Sequence, residues 1–402
     1  MRRASCLAVA AVAVLVTACS SGSPDTDFSP SPGGTDVEGQ GGVHIDPIIP
    51  TPSLKSGSTG SGPPAGSSGS SSGTAGPDSL VVASKLTTPV GIALLPDGTA
   101  LVGERTTGRI VRVQPKAGKP VPTVRTLTGL STAGGGGLMD LAVSPDYVED
   151  NLIYAYISTA TDNRVVDFTL KGPVTPILTG IPRGSSDNAG RLTFGADGDL
   201  YIATGDAGRP TLAANATSLA GKVLRITDIG EPVRRNPTAR SPVLARGFRS
   251  SAGLCASTAS PNVFQVEQRG SAAPVVNVVT SGGNYGWPTA SAATKKPVST
   301  LPAADSGPGG CAVQSGRLWV TSLDGKTLIS GGLVDSPSPQ VGQYSTVLTD
   351  VYGRLLNVVP APDGALWITT SNRDGKGTPV AADERVIRYP PASVGGAGGR
   401  TT

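Results

Sequence analysis

The fold is decided by a short hairpin pattern whose clearest copy is GIALLPDGTALV at residues 91–102. An apolar run enters a Pro-Asp-Gly turn and a second apolar run leaves it. Asp-Gly turns suit tight hairpins because glycine accepts a positive φ at little cost. The pattern recurs as LMDLAVSPDYVEDNLIYAY at 138–156, GRLTFGADGDLYIA at 190–203 and LNVVPAPDGALWI at 356–368.

Two weaker copies start at Gly253 and Gly310, which gives six units between about residues 79 and 391. A spacing of about 50 residues is typical of the four-stranded blades of a β-propeller. The chain of 402 residues contains Gly 55 and Pro 35, a composition that argues against a helical bundle. A β-sandwich would show fewer and less regular turns. The sequence therefore predicts an all-β, six-bladed β-propeller over residues 79–391.

The first residues are typical of a secretory leader. Arg2 and Arg3 precede an apolar run at residues 7–18, which at about a dozen residues is too short to span a bilayer. The run ends in Val-Thr-Ala-Cys, which resembles a lipobox and predicts lipidation of Cys19; the alternative is an ordinary signal peptide. We therefore expect a lipoprotein signal peptide at residues 1–18 and a lipid anchor on the extracytoplasmic face of the cell membrane.

Residues 19–78 are rich in Ser, Gly and Pro, a composition that predicts a flexible, disordered tether. We also expect a flexible tail at residues 392–402. Lys+Arg 33 nearly balance Asp+Glu 29, so charge offers no case for binding nucleic acid. The single histidine, His44, precedes the predicted propeller, which excludes serine–histidine hydrolysis there.

Two cysteines, Cys255 and Cys311, lie within the predicted propeller, each in the first strand of a repeat. An oxidising compartment favours a disulfide between them. Two unpaired buried thiols are the alternative. A metal site built from two cysteines without histidine is disfavoured.

Several stretches resemble the soluble quinoprotein glucose/sorbosone dehydrogenases, also called PQQ-dependent aldose sugar dehydrogenases. The most specific is Gly-Gly-Asn-Tyr-Gly-Trp-Pro at residues 282–288. Residues 139–140, 154–159 and 162–166 are similar to a branch of actinobacterial lipoproteins within that family. The other matching stretches are residues 86–113, 135–158, 190–208 and 218–226.

The resemblance implies pyrroloquinoline quinone (PQQ) and Ca²⁺ at the propeller's mouth, with a histidine that accepts the substrate's proton. The family pattern His-x-x-Gly-Arg-Leu reads here Asp-Asn-Ala-Gly-Arg-Leu, so Asp187 takes the histidine's place as the candidate base. A carboxylate with a pKa near 4 is a weak base unless burial raises that value. The same pattern makes Arg191 a candidate cofactor contact.

Other family positions also differ. Arg249 and Arg354 match cations that contact the quinone, but the second arginine of the family's Arg-x-Arg pair is absent after Arg354. Asp324 stands where a lysine is expected, with Lys326 nearby, and carboxylates near the family's calcium region are missing after Glu267. Each lost cation would remove charge-assisted hydrogen bonds of about 1.5–3 kcal/mol to the three carboxylates of PQQ. The substitutions predict a degenerate quinone site.

Each remaining candidate has two interpretations. Glu104 lines the mouth as a cofactor contact or forms a strand-end ion pair. Asp206 faces the channel as a metal ligand or caps a turn. Tyr285 and Trp287 stack on a bound ring or pack between blades. Arg249 and Arg354 contact a ligand or form structural salt bridges.

Three functions follow. The first is a surface-tethered propeller without redox activity that binds a carbohydrate, another envelope ligand or a protein partner. The second is a divergent PQQ-dependent sugar dehydrogenase with Asp187 as the base. The third is a metal-assisted lactonase, which requires carboxylates to converge on one ion, the candidates being Glu104, Asp140, Asp187 and Asp206.

Overall fold

A computed structural model describes residues 77–391 and confirms the six-bladed β-propeller. Six antiparallel sheets of four strands each follow one another along the chain. The predicted signal peptide, the predicted lipidation site Cys19, nearly all of the predicted tether and the predicted tail lie outside the described residues. Within the described part, no helix is long and apolar enough to cross a membrane.

The strands alternate with short turns. A first strand, β1, lies apart from the blade that follows it in sequence and belongs to the last blade. The strands of the N-terminal half are β1 Val81–Ala83, β2 Pro89–Leu94, β3 Ala100–Glu104, β4 Arg109–Val113, β5 Thr123–Thr126, β6 Leu138–Val143, β7 Ile153–Ser158, β8 Asn163–Phe168, β9 Val174–Ile181, β10 Gly190–Phe194, β11 Leu200–Thr204, β12 Lys222–Ile226 and β13 Val243–Arg246.

The C-terminal half continues the same order, and the few helices are short. Its strands are β14 Ser251–Ala256, β15 Val263–Glu267, β16 Val275–Val278, β17 Ser299–Thr300, β18 Pro308–Gln314, β19 Arg317–Ser322, β20 Thr327–Val334, β21 Gln340–Val347, β22 Leu355–Pro360, β23 Leu366–Thr370 and β24 Val386–Tyr389. The helices are α1 Tyr147–Asp150, α2 Pro210–Ala214 and the 3₁₀ turns Pro77–Leu80, Ala133–Gly135 and Ala303–Asp305.

Each sequence repeat forms the first two strands of one blade. In blade 1, residues 91–102 span β2 and β3, with Gly98 at φ +79° and the Asp97 carboxylate accepting the Thr99 N–H at 3.0 Å. Blades 1 to 5 are β2–β5, β6–β9, β10–β13, β14–β17 and β18–β21. Blade 6 combines β22, β23 and β24 with β1, so a strand from the start of the domain closes the ring.

Apolar clusters fill the spaces between neighbouring blades. Trp367 in blade 6, for example, packs in one cluster with Val102 and Val111 of blade 1. Because each inter-blade space is filled by both of its neighbours, the ring holds the loops at its two faces in fixed positions.

The innermost strands are also tied directly to one another around the axis. Cys255 of β14 and Cys311 of β18 form a disulfide between blades 4 and 5, which confirms the predicted pairing. The Asn357 side chain donates to the Val90 carbonyl at 3.0 Å, which links blade 6 to blade 1. At Gly91, a Cβ atom would lie 2.8 Å from the Leu141 nitrogen, so the backbones of blades 1 and 2 meet there.

Candidate functional site

Most of the predicted site residues lie at one face of the ring, which we call the mouth. In every blade the first strand starts, and the second strand ends, at this face because neighbouring strands are antiparallel. Asp187, Arg249 and Arg354 precede first strands, whereas Glu104 ends a second strand and Asp206 follows one. The strand directions therefore place these five residues at the same face of the ring, although their loops are far apart in sequence.

The mouth of blades 3 and 4 carries a connected group of side chains, Asp187, Asp206, Arg249 and Trp287, which we call the Trp287 cluster. The Trp287 indole N–H donates to Asp206 at 2.7 Å, and the Arg249 guanidinium lies 5.7 Å from the indole ring centroid. Arg249 Nε and Asp187 Oδ1 are 3.7 Å apart. Asp187, Arg249 and Trp287 are all partly exposed. The cluster therefore offers a carboxylate, a guanidinium and an aromatic ring to a ligand.

Asp206 itself is buried and fully engaged. Its other carboxylate oxygen accepts the Gly208 N–H at 2.8 Å, so the turn-capping interpretation describes its local role. Its second role, orienting the Trp287 ring, joins residues 81 positions apart. Sequence reasoning missed this link because nothing local in either segment indicates it.

A buried ion pair, Glu267 with Arg269, contacts the loop that carries Arg249 of the Trp287 cluster. Glu267 is fully buried, accepts the Arg249 backbone N–H at 3.1 Å and pairs with Arg269. Burial raises the pKa of Glu267, although Arg269 and Arg249 oppose the rise. Since Arg269 already neutralises this carboxylate, Glu267 serves to hold the loop that carries Arg249.

Arg354 adopts the salt-bridge alternative. Its guanidinium lies 2.7 Å from Asp324 and 3.0 Å from Asp374, and only 7% of the side chain is exposed. Lys326, the other nearby cation, pairs with Asp350 at 3.1 Å. Arg354, one of the two arginines expected to meet the quinone, is therefore already paired with carboxylates of the chain, and so is the nearby Lys326.

Glu104 likewise forms the predicted strand-end ion pair. It accepts two hydrogen bonds from Arg109, at 2.7 and 2.9 Å, and one each from Thr107 and Thr87. Burial would raise the pKa of Glu104, but hydrogen bonds from Arg109, Thr87 and Thr107 lower it overall. Its charge is used within blade 1, which argues against the predicted cofactor contact.

Tyr285 packs between loops and does not face a ligand. Only 2% of it is exposed, its ring stacks on Phe248 at 4.6 Å, and its hydroxyl donates to the Val278 carbonyl. This burial supports the packing interpretation of Tyr285 and argues against the predicted cofactor contact. The Asn-Tyr-Gly-Trp signature contributes one aromatic to the core and one, Trp287, to the mouth.

Asp140 and Arg191 lie in first strands and line the central channel. Asp140 accepts the backbone N–H groups of Leu141 and Leu192, both at 3.0 Å. Burial raises the pKa of Asp140 to about 6, against the opposing effects of Arg191 and these two hydrogen bonds. Arg191 donates to the Ala252 carbonyl at 2.6 Å and so ties blade 3 to blade 4, which argues against a cofactor contact at the mouth.

Several of these carboxylates were also candidates for a metal centre. Among residues 77–391, no three His, Cys, Asp or Glu side chains are grouped closely enough to hold an ion. Glu104, Asp140, Asp187 and Asp206 therefore do not form such a group, which argues against the lactonase hypothesis and against the metal role predicted for Asp140 and Asp206. For a trianionic quinone, Arg354 and Lys326 already have carboxylate partners, so of these three cations only Arg249, 3.7 Å from Asp187, is loosely held.

Comparisons with known proteins agree with the fold and the sequence signatures. A family described as Glucose / Sorbosone dehydrogenase matches residues 86–380. The PQQ-bound aldose sugar dehydrogenase from Streptomyces coelicolor superposes with a TM-score of 0.73 at 34% identity, covering 77% of this chain and 96% of that one.

Curated relatives show the same likeness at the sequence level. Quinoprotein glucose dehydrogenase B of Acinetobacter calcoaceticus is 30% identical over 252 residues, which span 52% of each chain, about half of that relative's length. Aldose sugar dehydrogenase YliI of Escherichia coli is 25% identical over 342 residues, covering 74% of this chain and 90% of that one. The chain therefore belongs to the glucose/sorbosone dehydrogenase family.

Proposed function

We propose that this chain is a cell-envelope lipoprotein whose propeller binds a neutral carbohydrate at the Trp287 cluster and does not oxidise it. Anchoring through Cys19 rests on the lipobox-like Val-Thr-Ala-Cys at the end of the leader. The Cys255–Cys311 disulfide supports an oxidising, extracytoplasmic location.

The double pairing of Arg354 with Asp324 and Asp374 is the observation that carries the non-redox proposal. A guanidinium recognises a ligand carboxylate through charge-assisted hydrogen bonds, and here two carboxylates of the chain already accept them. A quinone would have to displace both partners. The propeller domain also contains no histidine to accept a proton.

The Trp287 cluster suits a hydroxyl-rich ring. The indole ring offers an apolar surface for a sugar's C–H groups, whereas Asp187 and Arg249 offer an acceptor and donors for its hydroxyls. Asp187 and Asp206 outnumber Arg249 in the cluster, so its net charge is slightly negative, which disfavours an anionic ligand and leaves a neutral one favoured. The named relatives include sugar dehydrogenases, which supports the same ligand class.

A divergent PQQ-dependent sugar dehydrogenase is the second candidate. It is favoured by the PQQ-bound relative at 34% identity and by the position of Asp187, which faces the mouth beside Arg249. Arg249 is less tightly paired than Arg354, since its contact with Asp187 is 3.7 Å rather than 2.7 Å. It is therefore the cation best placed to meet an anionic cofactor.

Calorimetry on the full-length protein separates the two candidates. We expect glucose, galactose or maltose to bind the wild type, and PQQ with Ca²⁺ not to bind at micromolar concentration. We expect Trp287→Ala to abolish sugar binding, and Trp287→Phe, which keeps an aromatic ring, to retain part of it. Tight quinone binding together with sugar-dependent reduction of an artificial electron acceptor would establish the dehydrogenase instead.

A further inference from the structure

The central channel of the ring is a cavity that plays no part in the ligand site proposed at the mouth. Its volume is about 240 Å³, and the first strands of all six blades line it, mostly with apolar side chains. Among these lining residues only Asp140 and Arg191 are ionisable, since Cys255 and Cys311 are joined in the disulfide. Any charge recognition inside the channel therefore depends on these two groups.

The Arg191 side chain has more N–H donors than there are acceptors around it. A guanidinium carries five N–H donors, and within the described part of the chain only Nε has an acceptor, the Ala252 carbonyl at 2.6 Å. Nη1 is shielded from solvent and has no partner among residues 77–391, and the residue as a whole is 8% exposed. A buried cation in this state is costly unless another group completes its hydrogen bonds.

Asp140 does not supply the missing acceptors for the Arg191 guanidinium. Its two oxygens accept the Leu141 and Leu192 N–H groups, and in residues 77–391 no ion pair within 4.0 Å involves Arg191. The channel thus contains a guanidinium without a carboxylate in contact, in contrast to Arg354 at the mouth, which has two.

We infer that Arg191 holds a small monovalent anion in the central channel, either a halide or a short carboxylate of acetate size. Halide and carboxylate anions both accept several N–H bonds, and a carboxylate matches the planar guanidinium in a bidentate manner. A volume of about 240 Å³ compares with roughly 30 Å³ for one water, so an anion of a few heavy atoms fits together with water. This site is separate from the Trp287 cluster and does not depend on the proposed function.

The test measures the width of the chloride NMR signal in the presence of the full-length protein, at constant ionic strength. The NMR signal of chloride broadens when the ion exchanges with a protein site. Arginines on the surface contribute a background broadening that is common to all variants. We expect Arg191→Met to lose the excess broadening of the wild type. Lys116→Met, which removes one exposed positive charge elsewhere, keeps it. Reversal of the broadening by acetate identifies a site that accepts carboxylates, whereas no reversal identifies a halide site.

Asp140→Asn provides a second variant that keeps an acceptor but removes the neighbouring negative charge. We expect it to bind chloride about tenfold more tightly than the wild type, because one like charge near the anion is lost. Equal linewidths for the wild type and a folded Arg191→Met protein would overturn the inference and leave water alone in the channel. If Arg191→Met does not fold, unchanged chloride affinity in Asp140→Asn overturns it.

Discussion

The disulfide between blades 4 and 5 provides the most direct test of how the ring is held together. Cys255 and Cys311 are 56 positions apart and join the innermost strands of adjacent blades. Closing a loop of that length restricts the unfolded chain by about 4 kcal/mol of free energy at 25 °C. We therefore expect Cys255→Ala/Cys311→Ala to lower the free energy of unfolding by about that amount.

Urea unfolding, followed by tryptophan fluorescence, measures the change. Trp319 and Trp367 are buried in blades 5 and 6 and report loss of the core. With a denaturant slope of about 3 kcal/mol/M, the midpoint of the double variant falls by roughly 1 M. Treating the wild type with a reductant should produce a similar shift without changing any side chain.

The double variant itself must not respond to the reductant, because it has no disulfide in the propeller. If the oxidised wild type and the double variant unfold at the same urea concentration, the covalent link contributes nothing to stability. The expected loss of unfolded-state entropy would then be absent, and the stability of the ring would come from the apolar packing between blades without a contribution from the disulfide.

Three further outcomes are expected. Asp140 has a folded pKa of about 6 against 3.8 in the unfolded chain, so the folded state binds the extra proton as pH falls between these values. The wild type should therefore gain up to about 3 kcal/mol relative to Asp140→Asn between pH 7 and pH 3, measured by urea unfolding at each pH. The Lys222 ammonium donates to three backbone carbonyls around α2, at 2.6 to 2.9 Å. Lys222→Met should destabilise the protein by about 2–3 kcal/mol and speed proteolysis near α2, with unaltered proteolysis counting against this role. Asp324→Asn combined with Asp374→Asn should free Arg354 and tighten PQQ binding about tenfold, measured by calorimetry at PQQ concentrations well above micromolar, where weak wild-type binding is detectable. Unchanged affinity would show that the pairing of Arg354 does not limit quinone binding.

Candidate residues at the mouth could be predicted from sequence, but their partners could not. Asp187, Arg249 and Trp287 were identified from the residues that match family motifs, and the structure brings them together. Tyr285 comes from the same motif as Trp287, yet it stacks on Phe248 inside the core. Which of two neighbouring aromatics faces a ligand depends on packing against distant loops, and this information is not local.

The order of the blades, their hairpins and the lack of a histidine in the propeller follow from the sequence alone, because strand periodicity and turn chemistry act over a few residues. Closure of the ring by β1 and the pairing of Arg354 with Asp324 and Asp374 follow only from the tertiary structure. The Arg191 donors that lack an acceptor within the described part of the chain likewise appear only when six inner strands surround one channel. Charges separated by tens or hundreds of residues meet only after the sheets have packed, and their pairing decides which of them stay available to a ligand.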